Sequence, residues 1–445
     1  MTSKLHTFLP TYAVLLCAAL LGGCDQLFER HKATEESAQQ QVDDTPAVNH
    51  ENLLSAANLF AYTQLSEALS HAQTLDRVIA SFLHHPNPLS LKECQESWVK
   101  TYNAYLQVSF FYQVPRFEKP QFVEQNQTYE NLHQRLDQWP IEGGYIDYLP
   151  GYPLSGIIND MTLKVSQKSL LEQHGFSDFS YASVGFHPLE FLLFGQDGKR
   201  SARDFIPKEN SIEVVSIDAD DHKPSDAEAN DGISEEQAQR ALAQQEAAME
   251  SAADLIKPQN HNRRREYVRI LSALLVEHLQ ALVDRWDPAH GYYAKAWRHP
   301  DTAPSVERLF QAVINHLQND VIGRHLGPLL VSEATPELRS PYANADIKNL
   351  RAMLQGVQTW WLTEHGMAAE LHQHNPELAS EIEKQFEAVL TRMNKLDQAL
   401  VSAPLEKRQQ SLELVQADLL KLMEMLYASA EALGVFLEPL PVSSE

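Results

Sequence analysis

From about residue 50 onward, apolar residues recur at three- and four-residue intervals almost without interruption. No stretch shows the two-residue alternation of a half-buried strand. One face carries Leu65, Leu69, Ala72, Leu75, Ile79 and Leu83. The strongest stripe follows Tyr267, Ile270, Leu271, Leu274, Leu275, Leu279 and Leu282, with His278 set among them. Later faces run Ile347, Leu350, Leu354, Val357, Trp361 and then Leu412, Val415, Leu419, Leu422, Leu426, the last stopped by Gly434 at a C′ position. Such a chain can bury its apolar faces only helix against helix, so the spacing predicts an all-α protein of two helical bundles. A possible capping box at Ser90 and Glu93 opens the second helix. Pro115, Pro120, Pro140, Pro150 and Pro153 break 115–154 into short helices and turns.

The ends and the linkers read differently. Lys4 followed by the apolar run Phe8 to Leu21 suits a signal peptide and is too short for a comfortable membrane span. Leu21-Gly22-Gly23-Cys24 resembles a bacterial lipobox, which implies cleavage before a lipidated Cys24, attachment to the membrane through that anchor, and a periplasm-facing place in the cell envelope. Asp25 bears on inner against outer membrane without deciding it. Cys17 leaves with the signal and Cys24 takes the lipid, so Cys94 is the one mature thiol and no intrachain disulfide is expected. The expected organisation is a signal peptide over 1–23, a polar flexible tether over 24–49, an N-terminal bundle over 50–196, an acidic exposed insertion over 197–233 and a C-terminal bundle over 234–445. The run Asp218-Ala219-Asp220-Asp221 lacks the turn glycine of a calcium loop and reads as solvated. With 36 basic against 60 acidic side chains the formal charge is −24, which excludes a nucleic-acid-binding role.

One short segment carries the chemistry. In Gly185-Phe186-His187-Pro188-Leu189-Glu190, Pro188 suits a first helical turn, which places His187 at a helix start and Glu190 one turn on, on the same side. Imidazole nitrogen and carboxylate oxygen are competent ligands for Zn²⁺ or Fe²⁺, and Gly185 permits close backbone approach. By spacing alone, a helix cap and a solvated face are the commoner roles for such a pair. Asp147 and Glu142, in the glycine-rich turn region, either complete a site or cap the next helix. His278 faces the core or a cleft between bundles. A zinc hydrolase also needs an open coordination position and a free general base. The sequence holds no HExxH, since His50-Glu51-Asn52-Leu53-Leu54 ends in Leu54, and no GxSxG.

The segment around His187, with Phe191-Leu192-Leu193-Phe194-Gly195 after it, is similar to the GxHxxE signature of the imelysin family. Trp139-Pro140, Ile146-Asp147-Tyr148, Gly156-Ile157-Ile158-Asn159-Asp160 and Glu337-Leu338-Arg339-Ser340-Pro341-Tyr342 are similar to its flanking segments. The resemblance implies two related all-α bundles, an envelope location, and a divalent or ferric metal ion, iron or zinc, at His187 and Glu190, with Gly185 in a backbone role. It further implies a link to metal uptake and to envelope proteins of that process. Peptide cleavage by a metallopeptidase and a non-catalytic interaction module stand as the alternatives. Two departures weaken a metal site: Tyr105-Leu106-Gln107-Val108-Ser109 lacks the acid the family carries there, and the chain ends without an acidic DGD tail.

Overall fold

Helix α1, His50–His84, begins where the Asn49 side chain accepts the Asn52 backbone N–H. The next, α2, spans Pro88–Leu106. Its capping box is Asn87 with Ser90, and Pro88 sits in the first turn, so the helix starts one turn before the Ser90/Glu93 box expected from sequence. Asn87 supplies the acceptor and Ser90 the return bond. Beyond them come α3, Tyr129–Asp137, and α4, Phe186–Phe194. They are followed by α5, Glu235–Trp286, and α6, Val306–Asn315, which runs directly into a π-helical stretch over His316–Leu326. Helices α7, Asp346–Trp361, α8, Met367–His374, α9, Pro376–Asn394, and α10, Leu405–Ala432, complete the chain. Gly434, at φ +69°, ends α10 as the sequence predicts. The computed structural model describes residues 47–115, 118–208, 235–299, 305–331, 338–396, 400–401 and 403–438. Among these there is no strand, only an isolated bridge between Leu149 and Tyr152, and the fold is all-α. None of the described helices is long and apolar enough to cross a membrane.

Packing follows the apolar faces and corrects three of the expected boundaries. The described part of α5 packs against α1, α3 and α4, not against the C-terminal helices, so a second bundle does not begin at residue 234. The reason is the stripe itself: Tyr267, Leu271, Leu275, Leu279 and Leu282 are buried, and α1 offers the matching face. The C-terminal group is α9 against α10, with α7 and α8 on α9. The insertion does not begin at 197 either. Phe205 is fully buried with its ring 5.0 Å from that of Phe82, and Arg200 is buried beside Asp147, while residues 209–234 lie outside the described residues. The tether ends before 49, because Val48 packs on the core and the Asn49 N–H donates to Glu370 of α8 at 2.7 Å. Residues 1–46, with the signal and Cys24, lie outside the described residues.

The two groups of helices meet where α7 crosses α2. A Cβ on Gly356 would stand 2.0 Å from the backbone oxygen of Gln107, so only glycine lets the helices approach this closely. Apolar side chains from α1 to α10 form one contiguous buried cluster. Cys94 is inside it, where burial pushes the thiol up to about 12, an inert core residue.

Candidate functional site

Every residue of α4 is buried, including His187 and Glu190. For a helix carrying a histidine and a carboxylate this is possible only if both are fully partnered. The approach is set by Gly185. Its φ is +106°, and a Cβ there would stand 2.5 Å from the Arg135 oxygen and 2.7 Å from the Leu136 oxygen. The start of α4 therefore rests on the end of α3, whose last residue is Asp137.

That contact brings together a carboxylate, an imidazole and a second carboxylate. His187 Nε2 lies 3.0 Å from Asp137 Oδ1, and His187 Nδ1 lies 3.2 Å from Glu190 Oε2. Tyr102 of α2 donates its hydroxyl to Asp137 Oδ1 at 2.8 Å and stands 3.3 Å from His187 Nε2. The C-terminal half closes the group: Arg339 Nη2 donates to Asp137 Oδ2 at 3.3 Å, and the Ala343 N–H donates to Glu190 Oε1 at 2.8 Å. Asp346 holds that segment in turn by accepting the Arg339 and Ser340 backbone N–H groups. The Trp139 ring covers the imidazole, with 4.8 Å between centroids.

The electrostatics follow from this order. Burial opposes a charge on His187, but the hydrogen bonds its ring donates to Asp137 and Glu190 outweigh it, and the imidazole holds its proton more tightly than usual. Burial works against the Asp137 carboxylate too, yet Arg339 and then His187 overcome it and drive its pKa down. Glu190 goes the other way: burial dominates over His187 and the Ala343 N–H, and its pKa rises. The result is an imidazolium clamped between two carboxyl groups of unequal acidity.

Asp137 and Arg339 also reach the wall of a cleft of about 530 Å³ between α3 and the π-helix. Tyr112, His133, Trp139, His316 and His325 line it with them. His187 is thus one residue removed from a space large enough for a small molecule.

The other sequence candidates lie elsewhere. Asp147 is fully buried, but both its oxygens are taken by Arg264 at 2.7 and 2.8 Å, with Arg200 at 3.2 Å. It is a closed ion cluster and is not available to His187. Glu142 is exposed and accepts the Gly144 N–H at the start of a short helix, which is the capping alternative. His278 is buried, and burial, then Arg135 and His174, push its pKa down to about 3. It is a neutral core histidine and does not join the His187 group. The sequence reading gave no site role to Asp137 or Tyr102. Asp137 stands two residues before the Trp139-Pro140 pair, a position that could have marked it.

Tested as a coordination set, this group does not fit a metal ion as it stands. The two carboxylates occupy opposite edges of one imidazole, so they cannot share an ion through a single ring nitrogen, and Glu190 Oε1 is already bound to a backbone N–H. Among the described residues no group of three or more His, Cys, Asp or Glu side chains is placed to hold an ion. The expectation that His187 and Glu190 converge on a shared cation gives way to a direct bond between them.

The class is therefore an all-α helical protein with a buried, signature-borne cluster of charged groups that joins its two helix groups. The family model described as Imelysin matches residues 61–428, and the chain belongs to the imelysin family. Two solved structures share the fold. An imelysin-like protein from Psychrobacter arcticum 273-4 is 14% identical with a TM-score of 0.55, over 88% of this chain and 100% of that one. A candidate iron-regulated protein A precursor from Parabacteroides distasonis ATCC 8503 is 12% identical with a TM-score of 0.53, over 87% and 98%. No curated protein matches.

Proposed function

We propose that this protein is a binding protein of metal acquisition, held at the cell envelope by a lipid on Cys24, whose signature residues shape a ligand cleft and perform no hydrolysis. The observation that carries this reading is the commitment of both His187 nitrogens to carboxyl groups, one of which, Asp137, forms part of the cleft wall. A hydrolase needs a base free to take a proton from water. Here the acidic and basic groups neutralise one another. Family membership and the iron-regulated description of the Parabacteroides protein support a role in iron or other metal supply.

The test pairs growth with binding. A strain lacking the gene grows poorly on limiting iron or zinc, and the wild-type gene restores it. The purified full chain retains one of these metals in equilibrium dialysis. Normal growth of the deletion strain together with no retention of either metal would reject the reading. Cys24→Ser moves the chain from the membrane fraction to the soluble one; unchanged partitioning removes the anchor. Chelator-sensitive cleavage of an unstructured peptide that Glu190→Ala abolishes would establish the peptidase alternative instead.

A further inference from the structure

Two buried imidazoles on the cleft wall present a nitrogen with no hydrogen-bond partner. His316 and His325 are 1% and 5% exposed, and Nε2 of each is unpartnered. On both rings the other nitrogen is fixed by the same residue: Asp320 Oδ2 stands 3.0 Å from His316 Nδ1, and the Asp320 backbone oxygen stands 2.9 Å from His325 Nδ1. Carboxylate and carbonyl oxygens only accept, so Nδ1 carries a proton on both rings, and wherever the ring is neutral Nε2 has a lone pair to offer. Burial keeps His325 neutral by pushing its pKa down to about 3. A bond of this kind behind the ring is also what orients imidazoles that ligate metals.

The backbone adds a separate observation. His316–Leu326 is π-helical, a conformation that is rare and concentrates at functional sites. Its turns close on the fifth residue, so residues 316 and 325 are about two turns apart and share a side. The same cleft holds a third unpartnered nitrogen, Nε of Arg339, which is a donor. The wall therefore offers an unpartnered nitrogen on each of two imidazoles and a cationic N–H at another point. A ligand that satisfies all three carries a carboxylate for the guanidinium and, for the imidazoles, a hydroxyl donor or a bound metal ion.

We propose that this cleft binds a small hydroxypolycarboxylate chelator, with Arg339 taking a carboxylate and the Nε2 atoms of His316 and His325 facing its hydroxyl group or the metal ion it carries. The proposal rests on the metal-acquisition reading only for the metal; the recognition of the carboxylate and hydroxyl groups stands without it.

The experiment titrates the full chain, in detergent, with citrate, with zinc citrate and with Zn²⁺ alone, and repeats each with a His316→Gln, His325→Gln double variant whose melting temperature is checked against wild type. Binding of citrate or zinc citrate that weakens about tenfold or more in the double variant supports the site. Equal binding in both chains, or none in either, overturns it. Zn²⁺ bound equally by both chains with no citrate species bound overturns the proposal and leaves the metal reading standing. Citrate bound equally well with and without zinc, and lost in the double variant, supports the proposal and removes support from the metal reading. A measurement on wild type alone covers failure of the variant to fold: zinc citrate slows amide exchange across 316–326 where acetate does not. Unchanged exchange counts against the site.

Discussion

Two buried carboxylates, ten residues apart in sequence, end in opposite electrostatic situations. Asp147 meets Arg264 through two parallel bonds with Arg200 beside them, and these side-chain partners are permanently charged. Asp137 meets a tyrosine, one guanidinium and the imidazole of His187, and it borders a cleft. The first cluster is closed and insensitive to proton exchange near neutrality. The second is poised by a titratable partner and borders the cleft. Burial alone therefore does not separate structure from function; the nature of the partner does.

The largest expected effect lies in the closed cluster. Asp147→Ala leaves two buried guanidinium groups uncompensated and costs about 3–5 kcal/mol, read from urea unfolding. A loss below about 1 kcal/mol would erase the contrast. In the poised cluster, His187→Asn removes the cation between Asp137 and Glu190 and costs about 2–3 kcal/mol. Unlike any Asp147 variant that still folds, it also changes ligand affinity in the cleft. Equal ligand affinity in His187→Asn and wild type would show that the cluster does not shape the cleft.

The clusters also separate by pH. Asp137 and Asp147 both have lowered pKa values, so their stabilisation is present above about pH 3.9 and is lost as pH falls through the folded-state pKa. His187 has a raised pKa, so its contribution is complete below about pH 6.5 and is lost as pH rises through the folded value. Wild type should lose melting temperature on the alkaline side, and His187→Asn should lose less. Identical alkaline profiles would place the His187 proton elsewhere. The smallest effect is at Glu142, where replacement by Ala removes an exposed cap and costs about 0.5 kcal/mol with no effect on the cleft.

Much of the fold was legible because helical spacing reports which face is buried, whatever it is buried against. The stripe through Leu271 and Leu282 fixed α5 as a core helix; only packing showed that its partner is α1. The signature fared similarly. His187, Glu190 and Gly185 stand out in the chain, and Gly185 has the close-approach role its type suggests. Asp137 and Arg339 come from 50 residues upstream and about 150 downstream of His187, and no local pattern links them to it. Asp147 and His278 misled for the complementary reason, since a carboxylate or imidazole in sequence shows its chemistry but not the partner that consumes it.

The order of apolar and polar residues determined by itself that this chain is helical, which faces its helices bury, and which helix bears the signature, because these depend on interactions within a few residues. Tertiary structure decided that His187 is bonded to Asp137 and Glu190 and that His316 and His325, on the cleft wall, each keep an unpartnered nitrogen. Proton affinity and ligand affinity depend on the distance to groups remote in the chain, and that distance exists only after folding.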